Sequence, residues 1–420
     1  MASCFPELLR PGLCGRRFAG FSSCLPSGKW SRGCNWFSRR GMSTAALMSP
    51  KNSNPSSSSS SSPWLMLQPV YESGATCAAA TYKFYNLAEN RVVTLWDPQI
   101  HGDLNFRGSS GGGWVSLVQP ETHDVLLYNP ISRRRIKLPP SYGPSVDLNR
   151  APILHKSFLS CSPDTENCFA VNLTYYGDSM AVCCPLSSDN WKWFGTNSKD
   201  SYYLDCVYST TQHTLFALTH NFQLEAWDLT AASPKLIRIM GEFSSTLRRK
   251  ENLTKKKKLL QSRDDLTCWH QYHLVIAGED LLVVTQYIML SVDSDGLYVD
   301  FEAEESAFEL PSSTIDFDIH RYDWEDGDLK YVEGSCLNGW ALFVGNYNHS
   351  VALRACDFPE LKPNSIYFTD ALAYHCDCNK GNYDIGIFNY EDKTVSPCYY
   401  PCDPGNLKPM FPAPMWFFPS

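Results

Sequence analysis

Short runs of apolar and aromatic residues follow one another along the chain from Trp64 onward. Each run has about four to seven residues rich in β-branched and aromatic types, and Gly, Pro, Asn or Asp separates it from the next. No long segment repeats with the period of a helix, whereas strands joined by tight turns have this pattern. The pattern therefore predicts an all-β domain of hairpins, with examples at 113–128, 168–184, 214–229, 273–286 and 384–399.

Two distant segments have the same shape, namely DVLLYNPISRRRIKLP at 124–139 and YDIGIFNYEDKTVSP at 383–397. Each consists of an apolar strand, an acidic or Asn-Pro turn, and a second strand closed by Pro. Comparable hairpins recur about every 45 to 60 residues, which is near the length of a four-stranded propeller blade. A β-propeller of about six to seven blades is therefore predicted, with a pair of packed antiparallel sheets as the alternative. The ring is favoured because it buries short strands without long open edges.

The stretch Leu337–Asp370 shows the predicted order of elements most clearly. Trp340–Val344 is a short apolar run that a polar turn and a second strand follow. Pro359 and Pro363 cannot donate hydrogen bonds to a strand ladder, so the residues around them are predicted to connect two strands. The aromatic run Ser365–Phe368 is the strand that this connection reaches.

Charge is distributed unevenly along the chain. Residues 1–62 contain eight basic residues and one acid, which leaves 28 basic and 43 acidic residues in 63–420, a net charge of −15. General binding to nucleic-acid phosphates needs clustered Lys and Arg, so this balance argues against nucleic acid as the main partner. No stretch has the roughly eighteen uninterrupted apolar residues of a membrane span, so no span is predicted.

The N-terminal residues have the Arg-rich, Ser-rich and nearly acid-free composition of an organellar transit peptide. Residues 1–42 are predicted to be this peptide, because the segment Arg39–Ala45 resembles a mitochondrial processing site with cleavage after Met42. Residues 43–63 include a Ser tract and are predicted to be a disordered linker before a propeller domain at 64–420. The predicted location is the mitochondrial matrix. Targeting to both mitochondrion and plastid, or a cytosolic or nuclear protein with an unaddressed basic tail, are the alternatives.

The 17 cysteines are an odd number and lack the regular spacing of a small secreted domain. A reducing compartment is therefore predicted, with most cysteines buried as small apolar residues. Cys183 and Cys184 are predicted to point to opposite faces of a strand, one into the core and one to the surface, and not to form a redox pair.

A second group of cysteines has some of the composition of a zinc site. Cys376 and Cys378 lie beside His375, and Cys398 and Cys402 follow downstream. Their spacing lacks the paired CxxC arrangement of closed zinc sites, so packing within a strand is the preferred interpretation.

Other candidate sites also have simpler interpretations. Gly108–Gly113, GSSGGG, lacks the GK[ST] ending of a phosphate-binding loop and no helix follows it, so it is interpreted as a turn. Five acids could suggest a cation site, but they are interpreted as parts of solvated turns: Asp316, Asp318, Glu325, Asp326 and Asp328. Asp326-Gly327-Asp328 is predicted to be a hairpin turn. No nucleophile elbow is present in the sequence. We therefore predict no catalytic residue, cofactor, metal ligand or small-molecule substrate, and a protein that is not an enzyme.

Several of these segments together resemble the plant KIB-type β-propeller family, and the resemblance covers nearly all of 64–420. They are Gly108-Ser109-Ser110 with Gly113-Trp114-Val115, Asn129-Pro130-Ile131-Ser132 with Leu138-Pro139, His273-Leu274-Val275 with Gly278–Val284, Ala341–Gly345, Lys362-Pro363-Asn364, Ile366–Asp370 and the tail Pro414–Pro419. The resemblance implies a β-propeller, in a family whose members are in many cases F-box proteins of unknown biochemical activity.

The chain departs from this family pattern in two places. Members that act as ubiquitin-ligase substrate receptors carry an F-box of about fifty residues before the propeller, but here Pro11-Gly12 ends any helix that Phe5–Leu9 could begin. We therefore expect an organelle-targeted relative without the F-box. The basic segment at 247–265, with Lys255–Lys258, is predicted to be an inserted, solvated loop, and contact with RNA or acidic lipid is the alternative.

The expected function is that of a non-enzymatic protein-interaction propeller imported into mitochondria. Its unidentified protein partner would be recognised by loops at one end of the propeller, where exposed Trp, Tyr and Arg side chains serve as anchors. The alternatives are the substrate receptor of a cullin-type ubiquitin ligase and, less favoured, an organellar hydrolase or RNA-associated factor.

Overall fold

The strands that the structure describes form six sheets, which are arranged as the six blades of a β-propeller. The computed structural model describes residues 62–67, 70–71, 79–101, 104–119, 122, 124–139, 154–174, 179–195, 202–247, 268–289, 313–346, 348–369, 384–397 and 414–419. The predicted all-β propeller is confirmed, with the lower of the two predicted blade numbers.

Blades 2 to 5 share one plan, in which four antiparallel strands follow in chain order from the axis to the rim. Blade 2 has β5 (Asn105–Ser110), β6 (Trp114–Val118), β7 (Val125–Asn129) and β8 (Arg134–Lys137), and blade 3 has β9 (Leu154–Leu159), β10 (Ala170–Thr174), β11 (Ser179–Cys183) and β12 (Lys192–Gly195). Blade 4 has β13 (Tyr203–Ser209), β14 (Thr214–Thr219), β15 (Gln223–Asp228) and β16 (Lys235–Glu242), and blade 5 has β17 (Cys268–Ala277), β18 (Asp280–Met289), β19 (Ser313–Asp323) and β20 (Asp328–Tyr331).

Helical structure in the described residues is limited to single turns between strands. The α-helical turn α1 (Ser244–Leu247) follows β16. Three 3₁₀ turns lie at Gly111–Gly113, Gly334–Leu337 and Ala355–Asp357.

Blade 1 combines the two ends of the described chain. It contains β1 (Trp64–Met66), β2 (Val70–Tyr71), β3 (Ala79–Asn86), β4 (Arg91–His101) and the last strand, β26 (Met415–Phe417). β26 pairs with β1 in antiparallel register, with Leu65 opposite Trp416, and both side chains are fully buried. The ring is therefore closed by a ladder between strands from opposite ends of the sequence.

Blade 6 has an unusual parallel pair of strands. Its strands are β21 (Trp340–Val344), β22 (Val351–Arg354), β23 (Ser365–Phe368), β24 (Gly386–Asn389) and β25 (Thr394–Pro397). β22 pairs with one side of β21, and β23 pairs in parallel with the other, because the connection that holds Pro359 and Pro363 turns the chain back into the direction of β21. The predicted order of elements in 337–370 is confirmed, whereas the parallel pairing was not predicted.

A single turn geometry recurs in five blades. A side-chain oxygen at the first position accepts a backbone N–H two or three residues later, and the residue four positions later has a positive φ angle. The pairs are Asn86 with Asn90, Asn129 with Arg133, Ser209 with His213, Asp323 with Gly327, and Asn389 with Lys393. This repeat explains, and confirms, the predicted likeness of the segments 124–139 and 383–397.

The apolar core is divided among the interfaces between blades. Six clusters of buried side chains each join two neighbouring blades, so every interface of the ring has its own cluster. For example, Phe194 of blade 3 meets Trp227 of blade 4 with ring centroids 5.0 Å apart, and Phe343 of blade 6 meets Trp416 of blade 1 at 5.1 Å. Aromatic burial of this kind is the main force that holds the blades side by side.

The interpretation of Gly108–Gly113 as a turn needs correction. Gly108, Ser109 and Ser110 are not part of a turn but form the end of β5, and only Gly111–Gly113 turns. A Cβ atom at Gly108 would lie 1.8 Å from the carbonyl oxygen of Ser157, so glycine lets β5 and β9 approach closely.

Candidate interaction surface

Ten of the described connections between strands lie at one end of the ring, whereas the turn at 220–222 between β14 and β15 lies at the other. In an antiparallel blade, the turn between the first two strands and the turn between the last two lie at the same end of the blade. We call this the turn end; its described turns are 87–90, 111–113, 130–133, 160–169, 184–191, 210–213, 229–234, 278–279, 324–327 and 390–393.

Large apolar side chains are exposed on several of these turns. Trp324, in the outer turn of blade 5, is 42% exposed, although its ring contacts Tyr322 edge-on and lies 5.9 Å from the ring of Phe216 in blade 4. Ile131 and Leu186 are also exposed, on the outer turns of blades 2 and 3. These contacts hold Trp324 in place while one side of its ring remains available to a partner.

A stacked Arg–Trp pair lies at the same end of blade 6. The guanidinium of Arg354 lies 3.9 Å from the centre of the Trp340 ring, and its Nη1 donates a hydrogen bond to the carbonyl oxygen of Asn338. A Cβ atom at Gly278, in the inner turn of blade 5, would lie 3.3 Å from the Trp340 ring. Arg354 is exposed and is held by the Trp340 ring and the Asn338 carbonyl, which gives the turn end a second fixed anchor in addition to Trp324.

The turn end carries opposite charges on different blades. Blade 2 presents the exposed Arg133 and Arg134. The turns of blades 5 and 6 present mostly acids that are also exposed, namely Glu279, Glu325, Asp326, Asp328, Asp357, Glu391 and Asp392. Lys330 neutralises one of them through its 2.8 Å ion pair with Asp326. The surface around Trp324 is therefore locally acidic.

Below this surface, polar side chains meet along the propeller axis. The Asn348 side-chain amide of blade 6 donates to the hydroxyl of Ser109 in blade 2 at 3.0 Å and to the carbonyl oxygen of Trp416 in blade 1 at 2.9 Å. The adjacent His349 ring stacks on Phe158 of blade 3, with centroids 4.4 Å apart. One short segment of blade 6 thus contacts three other blades.

A buried ion pair joins blades 3, 4 and 5. Lys156 Nζ of blade 3 lies 2.6 Å from Asp205 Oδ1 of blade 4, and both side chains are almost fully buried. The second oxygen of Asp205 accepts the backbone N–H of Leu274 in blade 5 at 2.8 Å. The two charges neutralise each other and both carboxylate oxygens have a donor, so the pair acts as a brace between blades 3, 4 and 5.

Two histidines near this brace are held in the neutral form. Burial lowers the pKa of His273 to about 4, although Asp205 and a hydrogen bond with Gln286 favour its charged form. Burial also lowers the pKa of His349 to about 3, and the nearby Lys156 ammonium acts in the same direction. At neutral pH both rings are therefore uncharged, and they pack in the interior while their ring nitrogens can still form hydrogen bonds.

The structure places the residues singled out in the sequence as follows. Cys183 is buried and Cys184 is partly exposed, as predicted. Asp316 and Asp318 are not in a solvated turn but are buried within β19, where Asp318 accepts a hydrogen bond from the Tyr287 hydroxyl at 2.7 Å. The other three acids of that group lie at the turn between β19 and β20, as the predicted hairpin requires.

Several candidate residues lie outside the described residues, namely His375, Cys376, Cys378, Cys398, Cys402 and Lys255–Lys258. Within the part of the chain that the structure describes, no three His, Cys, Asp or Glu side chains are grouped so that they could hold a metal ion. The helices in that part are too short to cross a membrane.

A family model identifies the protein family to which the chain belongs. The fold and its terminal strand pairing define a six-bladed β-propeller. The family model described as the KIB1-4 beta-propeller matches residues 84–389, so the chain belongs to the KIB1-4 beta-propeller family. This confirms the family resemblance that the sequence motifs indicated. No curated protein matches the chain.

Three solved structures are also similar to the chain. The extracellular domain of a proposed hybrid two-component system from B. thetaiotaomicron is 13% identical, with a TM-score of 0.29, and the match covers 66% of this chain but only 35% of that one. A proposed 6-phosphogluconolactonase from Bacteroides fragilis is 13% identical, with a TM-score of 0.33 and coverage of 66% and 83%. The β-propeller domain of Myceliophteria thermophila Cps50 (Swd1) is 11% identical, with a TM-score of 0.28 and coverage of 64% and 86%.

Proposed function

We propose that this KIB1-4 propeller is a non-enzymatic protein-interaction module that binds its partner at the turn end. The observation that supports this most directly is the exposed Trp324, which lies on the same end of the ring as the stacked Arg354–Trp340 pair. Trp and Arg side chains that are fixed by their neighbours contribute more binding energy at protein interfaces than most other residues. The braced axis below them supplies a rigid platform.

The charges around Trp324 favour one kind of partner surface. Exposed acids on blades 5 and 6 attract Lys and Arg side chains, and such complementarity increases association rate and selectivity more than affinity. Binding should therefore weaken as salt rises, because charges at the rim of an interface are screened over about 8 Å at physiological ionic strength.

A comparison of three tryptophan variants tests the proposed surface. The full chain and its variants Trp324→Ala and Trp340→Ala would be purified with their partners from cells, and the recovered proteins quantified by mass spectrometry. Trp193→Ala is the matched control, because Trp193 is 43% exposed but lies on the outer strand β12. A partner identified in this way would then be purified, and its affinity measured directly.

We expect the same partner to be lost with both turn-end variants and kept with the control. Loss of a hot-spot tryptophan should raise the dissociation constant by about 30-fold, since hot spots contribute about 2 kcal/mol or more. If both turn-end variants bind like the wild type, or if Trp193→Ala alone loses the partner, the docking surface lies elsewhere.

We further propose that the protein works in mitochondria, which the Arg-rich and acid-poor composition of residues 1–42 supports. The test is to fractionate cells and determine the N-terminus of the recovered protein. A mature chain that starts near Ser43 in the mitochondrial fraction would support import. An intact N-terminus in cytosol or nucleus would overturn it and would favour a ubiquitin-ligase substrate receptor instead.

A further inference from the structure

Two cysteines face each other at the inner hairpin of blade 3. In the ladder between β9 and β10, Leu159 lies opposite Ala170. The Ser160 N–H then donates to the Phe169 carbonyl oxygen at 2.8 Å, so the antiparallel pairing continues one residue beyond the strands. The next step in the same register places Cys161 opposite Cys168.

This register position is suited to a covalent bond. The Phe169 N–H in turn donates to the Ser160 hydroxyl at 2.9 Å. The backbone bond from Ser160 marks a hydrogen-bonded position of the ladder, so the following pair occupies a non-hydrogen-bonded position, where Cα atoms approach to about 4.5 Å. Disulfides typically span Cα separations of about 4.4 to 6.8 Å. The Cys168 thiol already donates a hydrogen bond to the Cys161 carbonyl oxygen at 3.2 Å, so its sulfur lies beside the backbone of the opposite cysteine. Both thiols are free in the structure.

The two cysteines differ in their access to solvent. Cys161 is partly exposed, whereas Cys168 is buried in the apolar cluster between blades 2 and 3. Burial and the adjacent Cys161 thiol raise the pKa of Cys168 to about 12. The thiolate is the nucleophile in disulfide exchange. Cys161, which solvent can reach, is therefore the residue that attacks a dissolved disulfide, and the buried Cys168 then resolves the mixed disulfide.

We propose that Cys161 and Cys168 form a reversible disulfide by exchange with glutathione disulfide. The Cys161 thiolate attacks one glutathione sulfur, the glutathione S–S bond breaks, and a glutathione thiolate leaves. Cys168 then loses its proton and attacks the Cys161 sulfur, which releases the second glutathione. The protein loses two electrons and two protons in total, and one glutathione disulfide becomes two glutathione thiols. Excess reduced glutathione reverses both steps.

The bond would fix one part of the turn end. It would close the loop between the two cysteines, whose Asp164 forms an exposed ion pair with Arg134 of blade 2. The position of this loop relative to blade 2 would then depend on the redox state. The inference rests on the register of blade 3 and does not depend on the proposed function.

Peptide mapping of the native full chain tests the bond. The chain would be equilibrated with glutathione buffers of increasing oxidised fraction, quenched in acid, alkylated and digested without reduction. Trypsin releases Ser157–Lys192, which has no internal Lys or Arg and contains Cys161, Cys168, Cys183 and Cys184. A second protease that cuts after Glu166 separates Cys161 from the other three cysteines, unless a disulfide joins the two fragments.

We expect the two fragments to stay linked until a reductant is added, with a combined mass two hydrogen atoms below that of the free thiols. Fragment-ion sequencing should place the link at Cys168. Cys183→Ala and Cys184→Ala are controls that should keep the link, and Cys161→Ser, which alters a partly exposed position, should lose it. The proposal is wrong if the folded chain remains unlinked at every glutathione ratio, or if either control variant abolishes the link.

Discussion

Replacement of either member of the buried ion pair should destabilise the propeller strongly. Lys156→Met leaves the Asp205 carboxylate buried with only the Leu274 N–H as a donor, and Asp205→Asn leaves the Lys156 ammonium buried without a counter-charge. Removal of one partner of a buried pair costs about 3–5 kcal/mol, because the remaining charge stays desolvated. Each single variant should therefore lose a large part of a typical domain stability of about 5–15 kcal/mol.

The double variant should be far less damaged than the sum of the two single variants. It leaves no charge at positions 156 and 205, and an Asn at position 205 can still accept the Leu274 N–H, so its expected cost is about 1–2 kcal/mol. The two single costs add up to about 6–10 kcal/mol, which implies a coupling energy of at least about 4 kcal/mol between the two positions.

Urea unfolding, followed by tryptophan fluorescence, measures the three variants against the wild type; the chain contains 12 tryptophans. Arg134→Ala is the control, because Arg134 and Asp164 form an ion pair that is exposed to solvent, and its unfolding midpoint should remain at the wild-type value. Additive costs in the double variant would refute the reasoning, and so would single variants that unfold at the wild-type midpoint.

Two further predictions concern backbone approach and pH. Gly108→Ala should destabilise the protein by several kcal/mol or prevent folding, because the added Cβ atom would overlap the Ser157 carbonyl. Gly111→Ala is the control: its Cβ atom would have no other atom within 4 Å, so this variant should fold with little change in the unfolding midpoint. The folded pKa values of His273 and His349 lie below the unfolded value of about 6.5, so their contribution to stability is complete above that pH and declines as pH falls toward 4. Between pH 7.5 and 5.5 the free energy of unfolding should fall by roughly 1 kcal/mol for each histidine. Unfolding measured at both pH values should show a smaller loss after replacement of both histidines by Gln, and an unchanged loss would contradict this assignment.

Much of the fold could be predicted from the sequence, because most blade strands carry apolar side chains on both faces of the sheet. The second and third strands of blades 2 to 5 pack against two neighbouring blades, so runs such as Thr214–Thr219 and Asp280–Met289 are almost wholly buried and stand out in the sequence. The turn signals were equally clear, since an Asn, Asp or Ser at a fixed distance before a positive-φ residue marks the hairpins.

The innermost strands β5, β9 and β13 were not predicted. Their sequences NFRGSS, LHKSFL and YLDCVYS mix polar and apolar residues because they line the axis, where side chains form hydrogen bonds between blades. A buried Lys156 has no local signal, since its partner Asp205 lies 49 residues away and in another blade. For the surface around Trp324, the sequence predicted only the types of residue, namely exposed Trp and Arg at one end of the propeller, and not which residues these are.

The sequence by itself determined the all-β class, the hairpin positions and the family, because these depend on local periodicity, turn chemistry and short motifs. Only the tertiary structure decided the closure of the ring by β1 and β26, the parallel pairing in blade 6, the ties across the axis and the opposition of Cys161 and Cys168. The physical reason is that each of these depends on which residues meet after the blades pack, and one blade cannot bury its two faces without its neighbours.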